Sequence, residues 1–224
     1  FGAYGLTEPD AGSDVAGLKT TGTRDDDSSY RITGNKMWIS AGGYADLFVL
    51  FARTEGPGPT GISAFLAETG PGLTVGREIP KMGLHSSSTV ELAFDNLHVP
   101  ADAMLGKPGQ GMSIALATLD SGRVTIAAQA VGIARAALTV ATEYAKERTA
   151  FGGPIARFQG VQFPLAEVAA KIDAARALTL EAAAMHDAGM PYSIAGAKAK
   201  LFASSVAVEA ADVAVQTLGG MGYS

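Results

Sequence analysis

Residues 4–14 read Tyr-Gly-Leu-Thr-Glu-Pro-Asp-Ala-Gly-Ser-Asp, and residues 37–40 read Met-Trp-Ile-Ser. The first stretch surrounds a proline with glycines and hydroxyl side chains, which let backbone N–H groups come close to a flat ring or an anionic phosphate. By composition alone, a polar loop that opens a domain is the simpler interpretation. Trp38 is the only tryptophan, and a lone tryptophan on a strand is usually a core aromatic. The two stretches in this order are more informative than either alone.

The periodicity of the chain changes near residue 110. Before that point, short apolar runs at 47–51 and 62–66 and an apolar–polar alternation at 90–95 are typical of strands. Glycine and proline separate these runs, as at 56–59. Residues 1–110 are therefore predicted to form an antiparallel β-barrel-like domain.

After Gly111 the apolar residues recur every three or four positions, which predicts three long helices in residues 111–224. The first ends before residues 152–154, the second begins near Phe158, and the third runs from about Pro191 to Gly219 and Gly220. The third helix is predicted to face inward with Ile194, Leu201, Val208, Val215 and Leu218. The fold class is thus α+β, with a β domain followed by an antiparallel α-helical bundle.

The composition excludes several classes of function. The net charge of −5 gives no indication of the clustered basic surface that binding to nucleic acid needs. Without cysteine there is no disulfide, thiol nucleophile or thiolate ligand, and the three histidines are too far apart in sequence to predict a metal site. No uninterrupted apolar run approaches the roughly 18 residues that span a bilayer. The chain begins with Phe1 and shows no targeting segment, so we expect a fragment of a longer protein.

The two opening stretches resemble the flavin-binding segments of the acyl-CoA dehydrogenase family, and further matches follow in family order as far as Tyr223. The resemblance implies FAD as the cofactor. The first stretch would line the flavin ring and pyrophosphate, and Ser13 would also meet the acyl-CoA. The second would place Trp38 against the ring and a hydroxyl at the reactive N5, where this chain has Ser40 instead of the more common Thr. The implied flavin contacts in this half are Tyr4, Leu6, Thr7, Ser13, Trp38, Ile39 and Ser40.

Three downstream stretches carry the same resemblance. Residues 118–123 resemble the substrate helix, so Asp120 and Arg123 would contact the CoA part, although an exposed ion pair three residues apart is the simpler interpretation. Gly122 favours a role in binding for these residues, because glycine is a poor helix former and its place inside a helix needs a reason. Near the end of that helix and of the third, the family contacts the FAD of a neighbouring subunit. The residues implied are Arg148, Phe151, Gln159, Gln216, Gly219 and Gly220.

The implied reaction is α,β-dehydrogenation of an acyl-CoA thioester in fatty acid metabolism. A carboxylate removes the α-proton, a hydride passes to flavin N5, and an electron-transfer flavoprotein accepts the electrons. In most members the catalytic Glu would follow Ser224; a minority place it where this chain has Gly122. The chain as given is therefore expected to hold no catalytic residue and to be inactive alone. Relative to the family it lacks the N-terminal helical domain and the last part of the C-terminal one.

Two alternatives remain open. A same-fold acyl-CoA oxidase or flavin monooxygenase would use oxygen as the acceptor, and a non-catalytic flavin-fold binding protein would lack the base altogether. The resemblance also implies a homo-oligomer, either a dimer or a tetramer, with no metal, nucleic acid or membrane span. Its location would be the cytoplasm in a bacterium or the mitochondrial matrix in a eukaryote. The length and branching of the acyl group stay undetermined.

Overall fold

A computed structural model describes all residues, Phe1–Ser224, as two compact units. The β unit comprises Phe1–Leu116 and the helical unit Ala117–Ser224. The predicted α+β class is confirmed, since strands fill the first unit and long helices the second.

The strands of the β unit are β1 Gly2–Gly5, β2 Thr21–Arg24, β3 Tyr30–Ser40, β4 Leu47–Arg53, β5 Ile62–Glu68, β6 Leu73–Glu78, β7 Thr89–Val99 and β8 Met104–Leu105. They form an eight-stranded sheet in the order β6-β7-β3-β2-β4-β5-β8, with β1 paired to β4. This path does not close on itself, so the sheet is barrel-like only in a loose sense. Alternating side chains of β7, such as Val90, Leu92 and Phe94, lie in the core.

Two strand pairs differ from the antiparallel prediction. β1 runs parallel to the first part of β4, from Gly2 opposite Leu47 to Gly5 opposite Leu50, and Thr21 of β2 pairs in parallel with Arg53. Because β5 covers the whole of one edge of β4, β1 and β2 occupy the other edge one after the other. Residues 6–20 connect β1 to β2 and therefore lie outside the sheet. This places the loop that follows β1, which contains most of the 4–14 stretch, beside β3 and β4.

Three long helices are present, as predicted: α1 Gly111–Glu147, α2 Gln159–Asp187 and α3 Ser193–Leu218. A small hairpin of β9 Thr149–Ala150 and β10 Gly153–Pro154 joins the first two, and a short helix, α4 Gly220–Tyr223, follows the third. Gly219 ends α3 with a positive φ of +57°, and its N–H donates hydrogen bonds to the Val215 and Gln216 carbonyls.

The predicted inward face of α3 is wrong. Ile194, Leu201 and Val208 are each at least 70% exposed, and Val215 is also exposed. The buried face instead carries small residues that let helices approach closely; a Cβ added at Gly196 would lie 3.3 Å from Val124 Cγ2. The buried residues of α3 are Gly196, Ala199, Ala203, Val206, Ala210 and Ala214.

Two helices meet the length and composition test for a bilayer span. They are Gly111–Glu147 and Ser193–Leu218, with mean hydropathies of 1.6 and 1.3 over 18 residues. Only 28% of each such window is buried within the chain. Core helices of soluble bundles pass the same test, so the absence of a membrane span stays a prediction.

Candidate functional site

The loop after β1 is fixed to β3 by its backbone. Glu8 and Ala11 exchange two backbone hydrogen bonds of 3.0 and 3.2 Å, which close a tight turn around Pro9 and Asp10. The Met37 N–H then donates to the Thr7 carbonyl at 2.9 Å. A backbone hydrogen bond thus directly joins the two stretches, 4–14 and 37–40, on which the resemblance mainly rests.

Trp38 is not the core aromatic that a strand tryptophan usually is. Its side chain is 54% exposed, whereas the next residue, Ile39, is almost fully buried. The pairing of β3 with β7 shifts register between Lys36 and Ile39, and Trp38 takes a left-handed backbone with φ +62°. A non-glycine residue in this region is strained by about 1–3 kcal/mol, a kind of strain that clusters at functional sites.

Four side chains in this region have free hydrogen-bonding groups. Thr7, Ser13, Trp38 and Ser40 make no side-chain hydrogen bond within the chain, although those of many neighbouring residues do. Hydroxyls, an indole and a nearby turn suit a planar, polar heterocycle that carries a phosphate. Leu6 and Ile39 have buried side chains, so these two residues can contact a ligand only through their backbone atoms.

The glycines and Tyr4 of the opening stretch differ in role. A Cβ at Gly5 would lie 2.6 Å from Leu50 Cδ2, so that glycine serves core packing, whereas Gly12 faces open space. Tyr4 packs edge-on against Phe51 at 5.1 Å, and its hydroxyl lies 3.4 Å from the Ala115 carbonyl. Burial raises the Tyr4 pKa to about 12, so the phenol stays protonated near neutral pH.

Sequence reasoning missed a buried ion pair behind this loop. Lys36 Nζ lies 2.7 Å from Glu8 Oε1, and the side chains are 0% and 5% exposed. Burial lowers the Lys36 pKa to about 8, although the Glu8 charge opposes this shift. Burial alone would raise the Glu8 pKa, but the charge and hydrogen bonds of Lys36, with further bonds from Thr20 and Lys19, leave it below its usual value. The sequence signal that could have found the pair is the alternation of β3. Lys36 is an even number of residues from Tyr30 and Ile32, whose side chains are buried, so it is expected on the same buried face.

In the helical unit, Asp120 and Arg123 form the ion pair that the simpler interpretation predicts. The Arg123 guanidinium donates to Asp120 Oδ1, and the Ser193 hydroxyl donates to Asp120 Oδ2. The Asp120 carboxylate therefore ties α1 to the start of α3. Gly122 is not explained by packing, because an added Cβ would meet nothing within 4 Å.

The turn between α1 and α2 presents an exposed aromatic ring. Phe151 is 89% exposed with φ +52°, and its carbonyl accepts a hydrogen bond from the Arg157 guanidinium. Its ring meets Phe158 edge-on at 5.9 Å, and Arg157 lies over the Phe158 ring at 5.0 Å. The exposed side chains of Arg148 and Gln159 make no hydrogen bond within the chain.

Gln216 lies in a groove of about 470 Å³ between α2 and α3. Gly160, the neighbour of Gln159, lines the same groove, with Glu209 and Asp212 on the α3 side. Of the predicted site residues in the helical unit, only Gln216 lines this groove; Gln159 precedes the lining residue Gly160 in sequence. No group of three or more His, Asp or Glu side chains is arranged to hold a metal ion.

Comparison with known proteins gives the family. The family model for "Acyl-CoA dehydrogenase, middle domain" matches residues 3–97, and that for "Acyl-CoA dehydrogenase, C-terminal domain" matches residues 109–224. The chain belongs to the acyl-CoA dehydrogenase family.

Individual relatives agree with the family assignment. The short-chain specific acyl-CoA dehydrogenase of Megasphaera elsdenii is 48% identical over 226 residues, which cover 100% of this chain and 59% of the relative. The structure of butyryl-CoA dehydrogenase from that organism has a TM-score of 0.98 at 48% identity, over 100% of this chain and 59% of its own. A chain in a structure of the electron transferring flavoprotein of Acidaminococcus fermentans has a TM-score of 0.98 at 49% identity, with the same coverage. The chain thus spans 59% of the length of these proteins.

Proposed function

We propose that this chain is the flavin- and acyl-CoA-binding part of an FAD-dependent acyl-CoA dehydrogenase. The observation that supports this most is the 2.9 Å hydrogen bond from Met37 N to the Thr7 carbonyl. It joins two segments whose Thr7, Trp38 and Ser40 side chains are without partners in the chain. The printed names of the relatives support the same reaction class.

The residues of the β unit fit a flavin by their chemistry. FAD, when bound, would accept the hydride equivalent that leaves the acyl chain. Trp38 would pack its exposed indole against the ring, and the Ser40 and Thr7 hydroxyls would donate hydrogen bonds to the ring edge. Ser13 would bind the pyrophosphate and the thioester ligand.

The residues of the helical unit would serve the ends of the two ligands. Asp120 and Arg123 would bind the CoA part, where Ser193 restrains the carboxylate. Arg148, Phe151, Gln159 and Gln216 would bind the pyrophosphate and adenine of FAD held by a second copy of the chain, which makes a homo-oligomer part of the proposal. The names of the Megasphaera relative and its structure favour a short acyl chain such as butyryl. The Acidaminococcus structure's name supports an electron-transfer flavoprotein as acceptor.

Trp38 provides a direct test of flavin binding. We expect addition of FAD to the apo form of the intact protein to quench the fluorescence of Trp38, measured as the difference between the wild type and the Trp38→Phe variant, because an isoalloxazine ring in contact with indole is an efficient quencher. AMP, which lacks the isoalloxazine ring, is the control and should leave the emission unchanged. Tight FAD binding without quenching would contradict the placement of Trp38 at the ring.

A second test concerns the proton-abstracting base and the electron acceptor. We expect the 224-residue polypeptide to show no turnover of butyryl-CoA with FAD, whereas the intact protein reduces an artificial one-electron acceptor. Quenching of Trp38 by FAD in the polypeptide would show that its inactivity is not a failure to bind the cofactor. Turnover at the rate of the intact protein would contradict a base beyond Ser224. Stoichiometric oxygen consumption by the intact enzyme would indicate an oxidase, and an inactive but flavin-bound intact protein would indicate a binding protein.

A further inference from the structure

Glu8 and Lys36 form an ion pair unlike any other in the chain. Their side chains are 5% and 0% exposed, whereas both partners of every other ion pair are at least 22% exposed. Lys36 heads the set of large side chains that are fully buried. Lysine is almost never fully buried unless it is paired.

The pair joins three separate segments. Lys36 Nζ donates to Glu8 Oε1 at 2.7 Å and to the Leu6 carbonyl at 3.1 Å. Glu8 also accepts the backbone N–H of Thr20 at 3.0 Å on Oε1 and that of Lys19 at 2.6 Å on Oε2. The loop after β1, the segment before β2 and strand β3 are therefore held together by one carboxylate and one ammonium group.

These contacts fix the orientation of the peptide that precedes Thr7. The C=O and N–H of a trans peptide point in opposite directions. Since the Leu6 carbonyl points to the Lys36 ammonium group, the Thr7 N–H points away from that group. The Thr7 carbonyl is held in turn by Met37 N, beside the left-handed Trp38. Glu8 and Lys36 themselves, nearly inaccessible, offer no surface to a ligand.

Stability alone does not account for such a pair. Well-packed apolar side chains in place of a buried ion pair are often neutral or stabilising, because two charges no longer have to be removed from water. What apolar side chains would not reproduce is the set of directed hydrogen bonds to the Leu6 carbonyl and to the amides of Lys19 and Thr20. The pair thus supplies orientation.

We propose that Glu8 and Lys36 are positioning residues of the flavin site, which set the direction of the Thr7 N–H and the approach of the Leu6–Thr7 backbone to the Trp38 segment. This inference rests on the proposed function, because it needs a flavin at that segment. Neither residue touches the ligand. Their effect reaches it only through the loop backbone.

The test uses the intact protein and the Glu8→Gln/Lys36→Met double variant, with Arg31→Met as the matched control. Arg31 also lies on β3 and forms an ion pair, with Asp25, but both side chains are well exposed. The melting temperature of the apo-protein, the FAD dissociation constant, the visible circular dichroism of bound flavin and its reduction potential are measured for each. The last two report on the surroundings of the ring and not on stability.

We expect the double variant to melt close to wild type but to bind FAD about tenfold more weakly, as when one ligand hydrogen bond is lost, with altered flavin dichroism and potential. Arg31→Met should match wild type throughout. A double variant that folds and keeps the wild-type dissociation constant, dichroism and potential would overturn the proposal. If the double variant does not fold, Glu8→Gln alone decides. It keeps the size of the side chain but leaves one acceptor oxygen where Glu8 uses two, so the bond from the Lys19 N–H or that from the Thr20 N–H is lost. Wild-type flavin properties in this variant would overturn the proposal equally. Failure of the wild-type protein to bind FAD would instead refute the proposed function.

Discussion

Lys36→Met alone is expected to destabilise the β unit by about 3–5 kcal/mol, because it leaves the Glu8 carboxylate buried without its counter-ion. The Glu8→Gln/Lys36→Met double variant should recover most of that loss, since no unpaired charge remains. A loss of this size is a large part of the 5–15 kcal/mol that holds a typical domain folded. Urea unfolding of the 224-residue polypeptide, followed by fluorescence, measures this loss in the β unit, which contains Trp38, the only tryptophan of these residues.

The comparison between single and double variants is the decisive part of this prediction. Arg31→Met removes an exposed pair on the same strand and should cost less than about 1 kcal/mol. If Lys36→Met were no more destabilising than Arg31→Met, water or a local rearrangement would have to solvate Glu8, and the pair would not be buried in solution. If the double variant were as unstable as the single, the loss would come from packing of the lysine stem and not from charge.

Local sequence patterns predicted the strands around 47–51, 62–66 and 90–95 and the three long helices. The alternation at 90–95 predicted a strand because one face of β7 is buried and the other is not. The glycines after Leu218 predicted the end of α3, and Gly219 does end it, with a positive φ that glycine tolerates better than other residues. Both signals depend only on neighbours in sequence. The same holds for the length of the three helices.

Features that depend on distant segments were not predictable in this way. The parallel pairing of β1 with β4 joins residues about 45 positions apart and leaves no local pattern. The predicted inward face of α3 was wrong because periodicity shows that a helix has two faces but does not show which face packs against another helix. Here helix packing selected Ala199 and Ala203 over larger side chains such as Leu201, since small residues allow the backbones to approach.

The candidate site shows the same division. The resemblance supplied Thr7, Trp38 and Ser40, but the exposure of Trp38 and its left-handed backbone follow from a register shift against β7 that no short motif encodes. Lys36 and Glu8 were overlooked because charged residues are assigned to the surface by default. Their burial depends on a loop and a strand 28 positions apart. The roles of individual site residues therefore stay predictions that the binding experiments address.

Gly34→Ala is expected to be the second highly disruptive substitution, with a loss of about 3–5 kcal/mol in the free energy of unfolding. Gly34 has φ +147°, which L-amino acids rarely adopt, and an added Cβ would lie 2.7 Å from Thr20 Cα and 2.6 Å from Thr20 Oγ1. One of these contacts is with backbone, so a rotamer change cannot relieve both. Because the Thr20 N–H donates to Glu8, displacement of Thr20 would also disturb the buried ion pair.

The same urea titration measures this loss, and Gly70→Ala is the matched control. Gly70 has no strained backbone, and an added Cβ would meet nothing within 4 Å, so its replacement should stay within about 0.5 kcal/mol of wild type. Gly34→Ala should also weaken FAD binding by the intact protein. The displaced Thr20 would shift the Glu8 carboxylate, which orients the loop after β1. A Gly34→Ala variant as stable as Gly70→Ala would show that β2 can move away from β3 at this point without cost. The rigid attachment of the loop to β3 would then have to come from Lys36 and the Met37 amide alone.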